Sequence, residues 1–251
     1  MPRRIAASPA VVVPRNAPAA AQKPAAQQAP VAAGWTASKT TVDQRRMLDR
    51  TLNDAVTLPA GTSFLARLGH VRAALGTVGS DGKRVMTEQL MGKLPARTAE
   101  ERGRILSIAT ALGAKTPALT ERLMSDAISS GDAQLALELV HDGAKLTKSQ
   151  KLELAPHIMS DEVLISADAT KNLTRAAVSV LADQPNALER FAKSVSSPAV
   201  LFGEVLANRD QAGARALKPL VNLLSPKEAR GMLKMHPRSE LSSELRARAN
   251  S

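Results

Sequence analysis

The 251-residue chain has no cysteine and no tyrosine, and it holds only one tryptophan and three phenylalanines (Phe64, Phe191 and Phe202). Without cysteine there are no disulfides, thiolate nucleophiles or thiolate metal sites, and the chain carries no record of the redox compartment it works in. With so few aromatics, the 44% hydrophobic content has to build a core from Leu, Val, Ile, Met and Ala. Those side chains favour helices, and the aromatic and β-branched clusters that stabilise sheets are missing. The composition therefore predicts an all-α fold.

Long apolar runs are absent as well. No stretch approaches the 18 or so continuous apolar residues of a membrane span, and Pro9 and Pro14 confine Ala10-Val11-Val12-Val13 to a run too short for a Sec signal. These absences lead to the expectation of a soluble protein, kept in a bacterial cytoplasm or exported without a Sec signal.

Acidic residues are missing from residues 1–42, which contain Arg3, Arg4, Arg15, Lys23 and Lys39. Of the first 40 residues 13 are Ala and 6 are Pro, and prolines at that density interrupt any helix. Residues 1–41 read as a disordered, basic, Ala/Pro-rich tail with polyproline-II character. The rest of the +11 formal charge is spread over a body in which acids are interleaved with bases, the ordinary pattern of a solvated helical surface.

From Val42 onward the apolar residues fall three and four apart, as in Met47, Leu48, Leu52 and Ala55, and again in Ile105, Ile108, Ala109 and Leu112. Thr98-x-x-Glu101, Thr147-x-x-Gln150 and Ser225-x-x-Glu228 have the form of capping boxes. Pro117, Pro185, Pro198 and Pro226 suit a first helical position, and Gly76, Gly113, Gly131 and Gly143 suit left-handed helix ends. The prediction over residues 42–251 is one all-α domain of about a dozen short helices, built as an α-solenoid or as an irregular bundle.

Residues Ala127 to Thr147, with Gly131, Leu135, Leu139, Val140, Gly143 and Ala144 at their spacings, resemble the second half of an ankyrin repeat. Ile105, Ile108, Gly113, Ala114 and Lys115 echo that ending earlier in the chain, so the likeness covers residues 104–147. It implies that Gly131 turns the chain between two helices, that Leu135, Leu139 and Val140 face neighbouring helices, and that Gly143-Ala144 closes the second helix. The sequence departs from the motif at Arg122-Leu123-Met124-Ser125, where Thr-Pro-Leu-His is expected, and no third copy follows. The acid-free tail is similar to the unfolded export signals of type III secreted effectors; that similarity implies a bacterial virulence protein acting in a host cell. An ordinary linker-like extension is the alternative.

Chemistry-bearing groups are scattered. The histidines at 70, 141, 157 and 236 have no His-x-x-x-His spacing, and His141 falls where it would complement a helix dipole. Ser80-Asp81-Gly82-Lys83 reads as a helix-start or turn sequence, since it lacks the companion elements of an acyl enzyme and the spacing of a phosphate loop. Glu100-Glu101 and Asp161-Glu162 suit first helical turns, and the Asn172-Leu173-Thr174 sequon carries no weight without a secretory signal. Lys227, Arg230, Lys234, Arg238, Arg246 and Arg248 are interrupted by Glu228, Glu240 and Glu244, which favours a solvated face over a binding stripe. No residue is nominated as catalytic, cofactor-binding or metal-ligating, and no cofactor is expected. The resulting expectation is a non-enzymatic scaffold that binds a protein partner; the alternative is charge-driven binding of nucleic acid or an anionic membrane.

Overall fold

A computed structural model describes residues 41–59, 61–159 and 171–251, with the side chains of 171 and 172 left aside. The tail, its export reading and Asp161-Glu162 lie outside the described residues. Those described form an all-α array without strands: α1 (Val42–Thr57), α2 (Phe64–Val78), α3 (Gly82–Met91), α4 (Ala99–Ala111), α5 (Pro117–Ser129), α6 (Ala133–His141) and α7 (Lys148–Ile158). After residue 170 follow α8 (Lys171–Leu181), α9 (Pro185–Ser194), α10 (Pro198–Ala207), α11 (Gln211–Leu217), α12 (Pro226–Met235) and α13 (Ser242–Ala249), with short 3-10 segments at Gly79–Asp81 and Lys218–Leu223. This is the series of short helices expected from the sequence.

Local chemistry sets most of the helix boundaries. Thr147 and Ser225 make complete capping boxes with Gln150 and Glu228, and a further box joins Thr41 to Gln44 at the start of α1. At Thr98 the box is redirected. Its hydroxyl accepts from Glu101 N (3.2 Å), while the Glu101 carboxylate reaches back one residue further, to Arg97 N (2.8 Å). Pro117, Pro185, Pro198 and Pro226 each open a helix, where the missing N–H costs nothing.

Gly113, Gly131 and Gly143 end α4, α5 and α6 with φ of 68°, 73° and 98°. In all three turns the next residue donates back across the helix end, Ala114 N to Ala109 O (2.8 Å), Asp132 N to Ala127 O (2.8 Å) and Ala144 N to Leu139 O (2.9 Å). Gly76 is a correction: it lies inside α2, and the helix ends at Gly79, whose φ is 77°. A single helical glycine weakens a helix without stopping it, so position alone misplaced that boundary.

The main contacts run between helices one to three places apart in the series, from α1 with α2, α3 and α4 to α8 with α9, α10 and α11. In that pattern each helix buries its apolar face against its neighbours in the series. Leu48, Leu52, Ile105, Ile108, Leu119, Leu137, Leu139, Phe191 and Phe202 are fully buried, whereas Met47, predicted with the apolar face of α1, is 47% exposed. Gly82 permits one close approach, since a Cβ there would stand 2.9 Å from Leu75 Cδ1.

Among the described residues charge is buried at one place in the core. Arg102 of α4 is 5% exposed, and its Nε donates to Asp132 Oδ2 at 2.9 Å. Asp126 lies 3.8 Å away and accepts from Ala96 N (3.0 Å). The other oxygen of Asp132 accepts from Leu135 N (3.2 Å), capping α6. The three side chains thus fasten α4, α5 and α6 together.

Candidate functional site: a polar cleft beside α11

A cleft of about 710 Å³ opens between the α10–α11 turn and the segment that joins α12 to α13. Its floor is apolar, made by the buried Val205, Leu206 and Ala214. Arg209, Gln211, Arg238 and Glu240 stand exposed around it, with Asp210, His236 and Ser239 half-buried. Asp210 also lines a second, smaller cleft of about 250 Å³ with Val140 and His141 of α6 and Arg175, Ala176 and Ser179 of α8. The two clefts therefore meet at Asp210.

The charges of the main cleft are unequally occupied. Asp210 caps α11, accepting from Gly213 N at 2.9 Å, and it can turn in because residue 213 has no side chain: a Cβ there would lie 2.6 Å from Asp210 Oδ2. Glu240 faces Arg215 at 3.9 Å. Arg209 and Arg238 have no ion pair or side-chain hydrogen bond among the described residues. Both carboxylates of the rim are thus engaged and both guanidinium groups are available.

In the smaller cleft an Arg175 nitrogen approaches His141 Nδ1 at 3.4 Å. A guanidinium has only donors, so Nδ1 is the acceptor here. His141 closes α6, as expected, and its Nδ1 faces the Arg175 guanidinium.

The other candidates weighed from the sequence are dispersed. His70 is exposed on α2 near Met47, Arg50 and Arg67, and His157 lies against Gly131. Among the described residues no three His, Asp or Glu side chains gather as metal ligands. Ser80 is in the 3-10 turn before α3, while Lys83 Nζ stands 3.2 Å from where a Cβ on Gly113 would be. That lysine meets the negative end of α4. Glu100 and Glu101 are in the first turn of α4, and the Thr98 hydroxyl, followed by a backbone N–H, holds the Glu100 carboxyl below its ordinary range. Thr174 of the sequon is 3% exposed.

Of the C-terminal basic residues, Lys227, Arg230, Lys234, Arg238 and Arg246 are exposed, whereas Arg248 turns inward to donate to Leu224 O (2.6 Å). A stripe of six is therefore reduced. Sequence reasoning missed the cleft because Arg209, His236 and Arg238 share no motif; the one available signal was an arginine just past a helix end, in Asn208-Arg209-Asp210. No helix among the described residues is long and apolar enough to cross a membrane. No family model, curated protein or solved structure matches the chain.

Proposed function

We propose that the protein is a non-enzymatic helical scaffold that binds another protein through the connected clefts around Asp210. The observation that carries this reading is the make-up of the main cleft, an apolar floor ringed by charged and polar groups from α10, α11 and the 236–240 segment. Buried anchors within a polar rim are the general anatomy of protein-recognition surfaces. Neighbour-to-neighbour packing supports it too, because helical arrays of this kind present extended faces to partners.

The test is capture of partners by the full chain from bacterial and host-type lysates, at low and moderate salt and with a nuclease-treated control. A specific protein that survives nuclease and moderate salt supports the scaffold. Material lost with nuclease or salt moves the function to electrostatic binding of nucleic acid or anionic lipid, for which affinity falls steeply with salt. The export reading rests on the acid-free tail: fused to a reporter, residues 1–42 send it out through a type III system, and retention of the reporter removes the effector role.

A further inference from the structure

We propose that the cleft between α11 and the 236–240 segment recognises an acidic peptide, with Arg209 and Arg238 holding its carboxylates and the floor of Val205, Leu206 and Ala214 taking an adjacent aliphatic side chain. The inference rests on the scaffold reading and names the partner chemistry of that site.

Among the described residues four helix ends share one turn, in which the residue after the left-handed position donates five residues back: Ala114 to Ala109, Asp132 to Ala127, Ala144 to Leu139, and Asp210 to Val205 (3.1 Å). Three of them place glycine at the left-handed position, the residue it suits best. The fourth places Arg209 there, with φ 54°, although an L side chain is strained in that region. The other non-glycine at positive φ, Leu58, precedes a proline and ends α1 in a different turn. Among the described residues, the one glycine-type turn that carries a side chain places a guanidinium at the 710 Å³ cleft. Backbone strain is retained where function needs the side chain that causes it.

Charge completes the argument. Asp210 and Glu240 are engaged by Gly213 N and Arg215, which leaves Arg209 and Arg238, with the half-buried His236 between their segments, as the groups open to a ligand. Guanidinium forks match carboxylates in geometry as well as charge. A peptide fits better than a nucleic acid: the lining contains no Phe, Tyr or Trp for base stacking, and the two carboxylates on the rim interrupt the continuous cationic track that a phosphate backbone follows.

The experiment uses the full chain and a fluorescein-labelled pentapeptide of alternating glutamate and leucine, read by anisotropy. The glutamine–leucine analogue, inorganic phosphate and a short single-stranded DNA serve as competitors. The expected result is saturable binding at least tenfold tighter than that of the glutamine analogue, weakened tenfold or more by Arg209→Gly and again by Arg238→Ala. Arg209→Gly relieves the strained position, so its Tm stays at or above that of the unaltered protein, and lost affinity cannot be assigned to lost fold. Equal binding of the glutamine analogue, displacement by DNA or phosphate in preference to the peptide, or unchanged affinity in Arg209→Gly overturns the proposal. A lysate partner still captured by the double variant also overturns it while leaving the scaffold reading in place; capture of no protein partner by the unaltered chain removes both.

Discussion

Arg102 lies on α4 between carboxylates that reach it from α5 and from the start of α6, with side-chain exposures of 6% for Arg102, 6% for Asp126 and 9% for Asp132. Replacing it with leucine leaves two acids buried against an apolar side chain, and breaking a buried pair in this way typically costs about 3–5 kcal/mol. Arg102→Leu is therefore expected to lower stability by about that amount in urea denaturation; a loss below about 1 kcal/mol would show that water already reaches the cluster. Gly131→Ala combines a φ of 73° with a Cβ only 3.0 Å from His157 Nδ1, and a cost of about 1–2 kcal/mol is expected on the same measurement. Glu244 gives a pH-dependent case. Lys218, then Ser243, hold its carboxyl down at about 2, through a salt bridge of 2.8 Å that ties α13 to the 3-10 segment before α12. A depressed carboxyl contributes stability that is present above its unfolded value, near 4.5, and is lost as pH falls toward 2. The stability difference between the unaltered protein and Glu244→Gln should thus be constant at neutral pH and vanish between about pH 4.5 and 2; a difference that grows on acidification would place its origin elsewhere. The Arg102 and Glu244 sites were not legible in the sequence, because each joins residues far apart in the chain, Arg102 to Asp132 and Lys218 to Glu244, whereas the left-handed turn at Gly131 was predicted from its position.

Helix boundaries were the most legible level. Thr147 and Ser225 announce α7 and α12 because a hydroxyl and an acid or amide three residues on satisfy each other's nearest backbone donors. Thr147→Ala should cost about 1 kcal/mol, with the first turn of α7 losing amide protection before its neighbours in hydrogen exchange. The same logic was available at Thr41, Thr116, Asp132 and Asp210, whose side chains all accept from a helix N–H; those at Thr41 and Asp210 are hidden among other polar residues in the sequence. The glycines show the limit of reading by position. Gly113, Gly131 and Gly143 close helices, whereas Gly76 sits inside one that runs on to Val78. The apolar periodicity likewise gave Leu48, Leu52, Ile105 and Ile108 as core correctly but left Met47 exposed, because α2, α3 and α4 cover the side of α1 that carries Leu48 and Leu52.

At the scale of the molecule, composition predicted an all-α array, and the near absence of aromatics was the decisive signal. The candidate site was not predicted, since a cleft assembled from residues 205–214 and 236–240 exists only once α10, α11 and the segment before α13 are packed. The buried apolar residues form one cluster from Leu48 to Ala249, but its main contacts link helices close in sequence, so local stability should vary along the series. Native-state hydrogen exchange is then expected to show α12 and α13 opening at lower free energy than α4 to α6, which are held by neighbours on both sides and by the Arg102 cluster. Uniform opening throughout would show one cooperative unit instead. The same packing has a mechanical meaning. Drawn apart by its ends, a chain whose helices hold mainly their neighbours yields in small successive steps and re-forms in the same way. Load is thus expected to lengthen such an array by a few helices at a time while the rest stay packed.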